Sequence, residues 1–226
     1  MTIILIGSGL PNFKSVNMQL YYATINALNP EAYQYYLHQL PDTEHSKVLK
    51  YRRPQDAYLS VLGKALLMRG LADNGYDDTL RDTYKVTEFG RPYMLNGPKF
   101  NISHSGIVAV CAISETPVGV DIENVTRMDI DVFEDHFIPE EWNLIQKATN
   151  PTAAFYTLWC KKEAVIKADG KGLSNSLTDV ITLTDQTTLN ETIYHTRLHF
   201  IYPDYIMATA STCGHEVIKL IQVDTI

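Results

Sequence analysis

Cysteine is scarce in this sequence. Its three copies among 226 residues, Cys111, Cys160 and Cys213, stand far apart and form no C-x-x-C pair. That argues against a disulfide framework or a structural zinc site and fits a reduced, cytoplasmic setting. Positive charge is also short. Nineteen Lys and Arg against 26 Asp and Glu leave a net charge of −7. A field of that sign disfavours nonspecific binding to nucleic acid or to an anionic membrane, and leaves only local basic patches for acidic partners. Long apolar runs are missing too. Ile3-Ile4-Leu5-Ile6 stops at Gly7 with no basic residue before it. It reads as a buried first strand, not as a leader or a membrane span. Gly7-Ser8-Gly9 lacks the third glycine and the lysine of a phosphate loop, and reads as a turn.

What is present is an ordinary globular mixture, 45% hydrophobic and 20% charged, enough to build a core without covalent staples. Apolar spacing predicts helices over residues 16–28, 31–40, 42–50 and 54–71. The last carries Ala57, Val61, Ala65 and Met68 at three- and four-residue steps. The period then changes, and short β-rich stretches over residues 99–105, 107–113 and 118–123 predict strands. Helical pattern returns over 130–137, 139–147 and 151–168, where Asp169-Gly170 supplies a stop. Further strands are expected at 180–183, 193–201, 205–211 and 216–223. The order predicts an α+β fold of two halves, residues 1–115 and 116–226, each of helices followed by a small antiparallel sheet.

Three segments ask for more than a core. In Val118-Gly119-Val120-Asp121-Ile122-Glu123, a strand puts Asp121 and Glu123 on one face and the apolar residues on the other. Adjacent carboxylates repel unless a cation sits between them or one is protonated. The alternatives are a solvated edge face or a site for a hard cation such as Mg²⁺. In Trp159–Leu173, Glu163 and Lys167 are one helical turn apart, either as a surface ion pair or as site residues. The large apolar Trp159, Val165 and Ile166 and four nearby lysines favour a partly buried site for an anion such as phosphate. In Phe100–Gly106, Ser103, His104 and Ser105 cluster at a strand end. Neighbours on a strand point to opposite faces, and no G-x-S-x-G elbow is present, so a hydrolase triad is disfavoured. A histidine that hydrogen-bonds a phosphate, or caps a turn, fits better.

Four motifs in order, Gly90-Arg91-Pro92, FNISHSG at 100–106, VGVDIE at 118–123 and WCKKEAVIKADGKGL at 159–173, resemble the Sfp-type 4′-phosphopantetheinyl transferases. The likeness is close from about Lys47 to Leu177 and loose at both ends. It implies two similar α+β halves with coenzyme A in the cleft between them. It implies transfer of the phosphopantetheine arm of coenzyme A to a serine of an apo acyl, aryl or peptidyl carrier protein, with release of adenosine 3′,5′-bisphosphate. By residue match Asp121, Glu123 and Glu163 would be Mg²⁺ ligands, Glu163 also the base for the serine hydroxyl, and Lys167 the holder of the pyrophosphate. Gly90, Arg91 and Pro92 would lie against the adenine and 3′-phosphate, with Lys47, Arg53, Ser60, Ser103 and His104 at the same nucleotide. Glu44 departs from the pattern, because a second basic residue stands there in some relatives.

Two other readings share these residues. A Mg²⁺-dependent phosphoesterase would use the same carboxylates with water as nucleophile. A noncatalytic coenzyme A or carrier-protein module would keep the fold without the chemistry. Two halves in one chain predict a monomer.

Overall fold

The first described element departs from expectation. The structure, a computed structural model, describes residues 17–226. The strand expected at residues 3–6 and the turn at 7–9 lie outside them. In place of the helix predicted over 16–28 stands β1 (Asn17–Thr24), followed by one 3₁₀ turn at Ile25–Ala27. Met18 and Leu20 fill one core, Tyr21 and Ala23 another. A strand buried on both faces loses the alternation that marks strands, so its apolar spacing also satisfies a helix.

The predicted helices that follow are present as α1 (Pro30–His38), α2 (Asp42–Val48) and α3 (Pro54–Asp73). Asn29 caps α1, its Oδ1 accepting the Ala32 N–H at 2.8 Å. A short hairpin, β2 (Tyr84–Val86) with β3 (Pro92–Met94), leads to β4 (Lys99–Ser105), β5 (Val108–Ser114) and β6 (Val118–Asn124). Residues Asp131–His136 form 3₁₀ turns instead of the expected helix over 130–137. Then come α4 (Pro139–Lys147) and α5 (Pro151–Asp169). Gly170, at φ +82°, ends α5 in a conformation that favours glycine.

The strand expected at 180–183 is absent. Its backbone groups are engaged by side chains: the Thr182 N–H donates to Glu141 at 2.7 Å, and the Val180 carbonyl accepts from Lys162 at 2.5 Å. A strand forms slightly later as β7 (Gln186–Leu189), followed by β8 (Thr192–His199), β9 (Tyr205–Ser211) and β10 (Val217–Gln222).

These strands make two four-stranded sheets, β10-β1-β5-β4 and β6-β9-β8-β7. The second is antiparallel, as expected. The first is mixed, because β10 returns from the chain end to pair parallel with β1. Met18, Leu20, Val108, Val110 and Ala112 of one sheet pack on Val118, Val120, Ile122 and Met207 of the other. On the outer faces α3 covers the first sheet and α5 the second. The edge strands β4 and β6 lie side by side, and the candidate site grows on that seam.

One histidine of the second sheet sets a pH dependence. His199 shares a 2.9 Å hydrogen bond with Thr209 Oγ1. Burial, with Arg197 nearby, pulls its pKa from 6.5 down to about 4. Between those values the unfolded chain binds a proton that the folded protein refuses, so stability falls as pH falls through that window. His199→Gln should flatten this part of a Tm-against-pH profile. An unchanged slope between pH 6.5 and 4 would contradict the assignment.

Candidate active site

The period-two rule sorts β6 as the sequence implies. Val118, Val120 and Ile122 fill the space between the sheets, while Gly119, Asp121 and Glu123 face α5. Gly119 has no side chain for a packing reason. A Cβ there would collide with the backbone of α5 at the Ala164 carbonyl and the Ala168 nitrogen. This close approach brings the helix carrying Glu163 and Lys167 onto the strand carrying Asp121 and Glu123. Gly119→Ala should cost about 1–3 kcal/mol by overpacking and lift α5 off the carboxylates. Thermal melting together with turnover checks this, and a variant that keeps wild-type Tm and activity would contradict the close fit.

Lys167 does not pair with its helical neighbour Glu163 as a surface pair would. Its Nζ lies 2.5 Å from Asp121 Oδ1 and 3.1 Å from Ser103 Oγ. Burial alone lowers a lysine pKa, but Asp121 and Glu163 outweigh it and hold the ammonium above its usual value. Ser103 Oγ also donates to Asp121 Oδ1 at 3.1 Å, and Asp121 Oδ2 is buried without a hydrogen-bond partner. Glu123 Oε2 accepts from Ser105 Oγ at 2.7 Å. Burial, with the Asp121 charge added, pushes Glu123 up, against the pull of Ser105 and Lys167. Burial likewise pushes Glu163 up, with Lys167 opposing and Asp121 adding to the rise. Among the described residues no three His, Cys, Asp or Glu side chains are already gathered into a cation cage. The cation on Asp121 is the Lys167 ammonium.

Alternation along β4 explains why serine and histidine part company at 103–105. Asn101, Ser103 and Ser105 face β6, where Asn101 Oδ1 accepts the Val120 N–H at 2.9 Å and Ser105 Oγ accepts the Asn124 N–H at 3.1 Å. Phe100 and Ile102, on the other face, pack with α3, and His104 shares that face. Burial lowers the His104 pKa, and Lys167 and Lys64 lower it further against the pull of Asp56, so the neutral ring is favoured.

A cleft of about 530 Å³ opens beside α5. Gly90, Arg91, Pro92, Glu163 and Lys167 line it, together with Phe89, Asn101 and His136. The motif at 90–92 and the motif at 159–173 therefore meet. Arg91 is held there by its own hydrogen bonds, Nη1 to the Ala168 carbonyl at 2.6 Å and Nη2 to the Val118 carbonyl at 3.1 Å. These bonds fix its guanidinium against the end of α5.

Lys47, Arg53, Ser60 and His104 do not line that cleft. Ser60 Oγ accepts from Lys64 Nζ at 3.0 Å. Glu44 is buried between Lys47 at 2.6 Å and Lys64 at 3.2 Å. Burial raises its pKa, but the two lysines more than offset this and keep it ionised. Arg53 is exposed at the start of α3. Sequence reasoning passed over Lys64 and named Ser105 only as a member of the polar cluster at 103–105, with no site role. Both carry a signal that spacing supplies: Lys64 stands one helical turn after Ser60, and Ser105 shares the strand face of Ser103.

Two of the four lysines taken for an anion site serve elsewhere. Lys161 pairs with Asp185 at 2.6 Å, and Lys162 is fully buried against Glu141 at 2.6 Å.

The resemblance read from the motifs is borne out by known proteins. Residues 117–210 match the 4′-phosphopantetheinyl transferase superfamily. The chain is 33% identical over 150 residues to the 4′-phosphopantetheinyl transferase gsp of Aneurinibacillus migulanus, covering 66% of this chain and 63% of that protein. It is 38% identical over 137 residues to a 4′-phosphopantetheinyl transferase of Bacillus subtilis, covering 58% of this chain and 60% of that protein. It is 29% identical over 151 residues to the 4′-phosphopantetheinyl transferase Sfp of Bacillus subtilis (strain 168), covering 65% and 67%. The chain thus spans less than two thirds of the first two relatives' length. No described helix is long and apolar enough to cross a membrane.

Proposed function

We propose that this protein transfers the 4′-phosphopantetheine arm of coenzyme A to a serine of an apo carrier protein and releases adenosine 3′,5′-bisphosphate. The observation that carries the reading is the meeting of Asp121, Glu123, Glu163 and Lys167 beside a cleft lined by Gly90, Arg91 and Pro92. The relatives' names point to the same reaction.

The donor set suits a hard cation, which takes carboxylate oxygens. Asp121 Oδ2 is a buried acceptor without a partner, and Glu123 and Glu163 are held above their usual pKa by burial and by neighbouring carboxylates. Asp121, Glu123 and Glu163 would hold Mg²⁺, which when bound stabilises the charge that builds on the pyrophosphate oxygens.

The protein's own groups do the rest. The serine oxygen bonds to the phosphorus nearest the pantetheine arm, and the bond from that phosphorus to the bridging oxygen breaks. The electron pair leaves on the bisphosphate, and the serine proton goes to the Glu163 carboxylate. A base whose pKa is raised toward neutrality accepts that proton more readily. Lys167 holds the pyrophosphate beside Asp121. Arg91, tied to the end of α5, sets the wall against which the nucleotide lies. At the nucleotide end Lys47, Arg53, Ser60, Ser103 and His104 contribute, with neutral His104 donating a hydrogen bond instead of a charge.

The two α+β units, each a four-stranded sheet under a long helix, act as similar halves about an approximate twofold, divided near residue 115 except that β10 returns to complete the first sheet. The protein works as a monomer in the cytoplasm, where its three free thiols stay reduced. It acts on a protein, not on nucleic acid or a membrane. Bisphosphate release that depends strictly on an apo carrier protein is the expected result in a chromatographic assay. Release from coenzyme A alone would instead mark a phosphoesterase.

A further inference from the structure

Seven residues carry a concentration of charge at odds with the rest of the molecule. Lys47, Lys50, Arg52 and Arg53 are all exposed, in a chain of net charge −7, and no acidic residue stands between positions 45 and 55. Leu49 and Tyr51 alternate with them and are 65% and 42% exposed. The segment joins α2 to α3, and the helix it leads into is tied to the end of β4 beside Glu123. Gln55, two residues on, donates to the Gly106 carbonyl, next to Ser105, which holds Glu123. Ile107, beside that turn, is 46% exposed. Another edge of the site has the other sign: Asp129, Asp131, Glu134 and Asp135 are exposed along the turns that end at His136, which lines the cleft.

We propose that residues 49–52, with Ile107, form the docking face for the carrier protein, and that this face selects carriers with an acidic surface beside the modified serine. The proposal rests on the transferase reading and adds the side from which the partner arrives. Charge complementarity favours an acidic partner at 49–52, and like charge keeps it off the 129–135 rim. A phosphate of coenzyme A takes one or two convergent cations and makes no use of an exposed leucine and tyrosine. A protein face uses both.

Lys50→Glu/Arg52→Glu tests the charge and Leu49→Ala tests the apolar contact, both at exposed positions, with circular-dichroism melting to establish that each variant is folded. With an acidic apo carrier protein at low salt, the double variant should lose about tenfold or more in kcat/KM through the carrier term. Its salt dependence should flatten while KM for coenzyme A stays put. Leu49→Ala should lower carrier kcat/KM without changing the salt slope. Unchanged carrier kinetics in both variants would overturn the proposal. So would a rise confined to the KM of coenzyme A, which would make the segment a nucleotide contact. Binding of wild type to vesicles of anionic lipid, lost in the double variant while carrier kinetics hold, would assign the patch to a membrane and also overturn it. A wild-type protein that modifies no apo carrier would sink the transferase reading itself, and this docking face with it.

Discussion

Glu163→Gln should bind coenzyme A and Mg²⁺ nearly as well as wild type and turn over about 10²–10⁴-fold more slowly. Two roles compete for this side chain. A carboxylate tightly bound to a dication is a poor base, because the cation depresses its pKa. A base must accept the serine proton. Glutamine keeps the size and one oxygen but cannot take a proton, so it separates the roles. We assign it the base role. Glu163 lines the open cleft, across from the strand that carries Asp121 and Glu123, and burial raises its pKa while Lys167 and His136 restrain the rise. Steady-state kinetics over a range of Mg²⁺ with coenzyme A titrations decides. If coenzyme A binding weakens in step with turnover and high Mg²⁺ restores both, Glu163 is chiefly a ligand.

Lys162→Ala should destabilise the fold by about 3–5 kcal/mol. Lys162 and Glu141 form a fully buried pair at 2.6 Å. The ammonium also donates to the Leu177 and Val180 carbonyls, and the carboxylate accepts from the Thr182 N–H and hydroxyl. Burial lowers the Lys162 pKa, and Glu141 opposes that shift. Removing one partner strands a charge without water. Replacing both with apolar residues of similar volume removes the stranded charge, so Lys162→Met/Glu141→Leu should recover most of the loss. Denaturant unfolding of Lys162→Met, Glu141→Leu and the double variant completes the cycle. A single variant within 1 kcal/mol of wild type would contradict the picture.

How legible the fold was depended on whether a segment buries one face or two. Helices α1 to α3 and α5 and strands β4, β5, β6 and β9 stand close to their sequence spans, because stripes, alternation or turn residues mark them. β1 failed because both its faces are buried. The strand expected at 180–183 failed because Glu141 and Lys162, far off in sequence, take its hydrogen bonds. The return of β10 to β1 is a long-range pairing that local pattern does not carry.

Site legibility followed the same division. The D-x-E spacing places Asp121 and Glu123 on one face whatever the rest of the fold does. That Lys167 would choose Asp121 over Glu163 required knowing how closely α5 approaches Gly119. Glu44 read as a missing cation, and the structure shows a buried acid between two lysines. Lys162 read as one more positive charge for an anion because nothing in its neighbours announces burial.

The most direct test of the central claim is the intact mass of an apo carrier protein incubated with this protein, coenzyme A and Mg²⁺. The carrier should gain the mass of one phosphopantetheine arm. The gain should vanish when its acceptor serine is replaced by alanine, and also when Asp121 of this protein is replaced by alanine. An unmodified carrier in the presence of consumed coenzyme A would contradict the account.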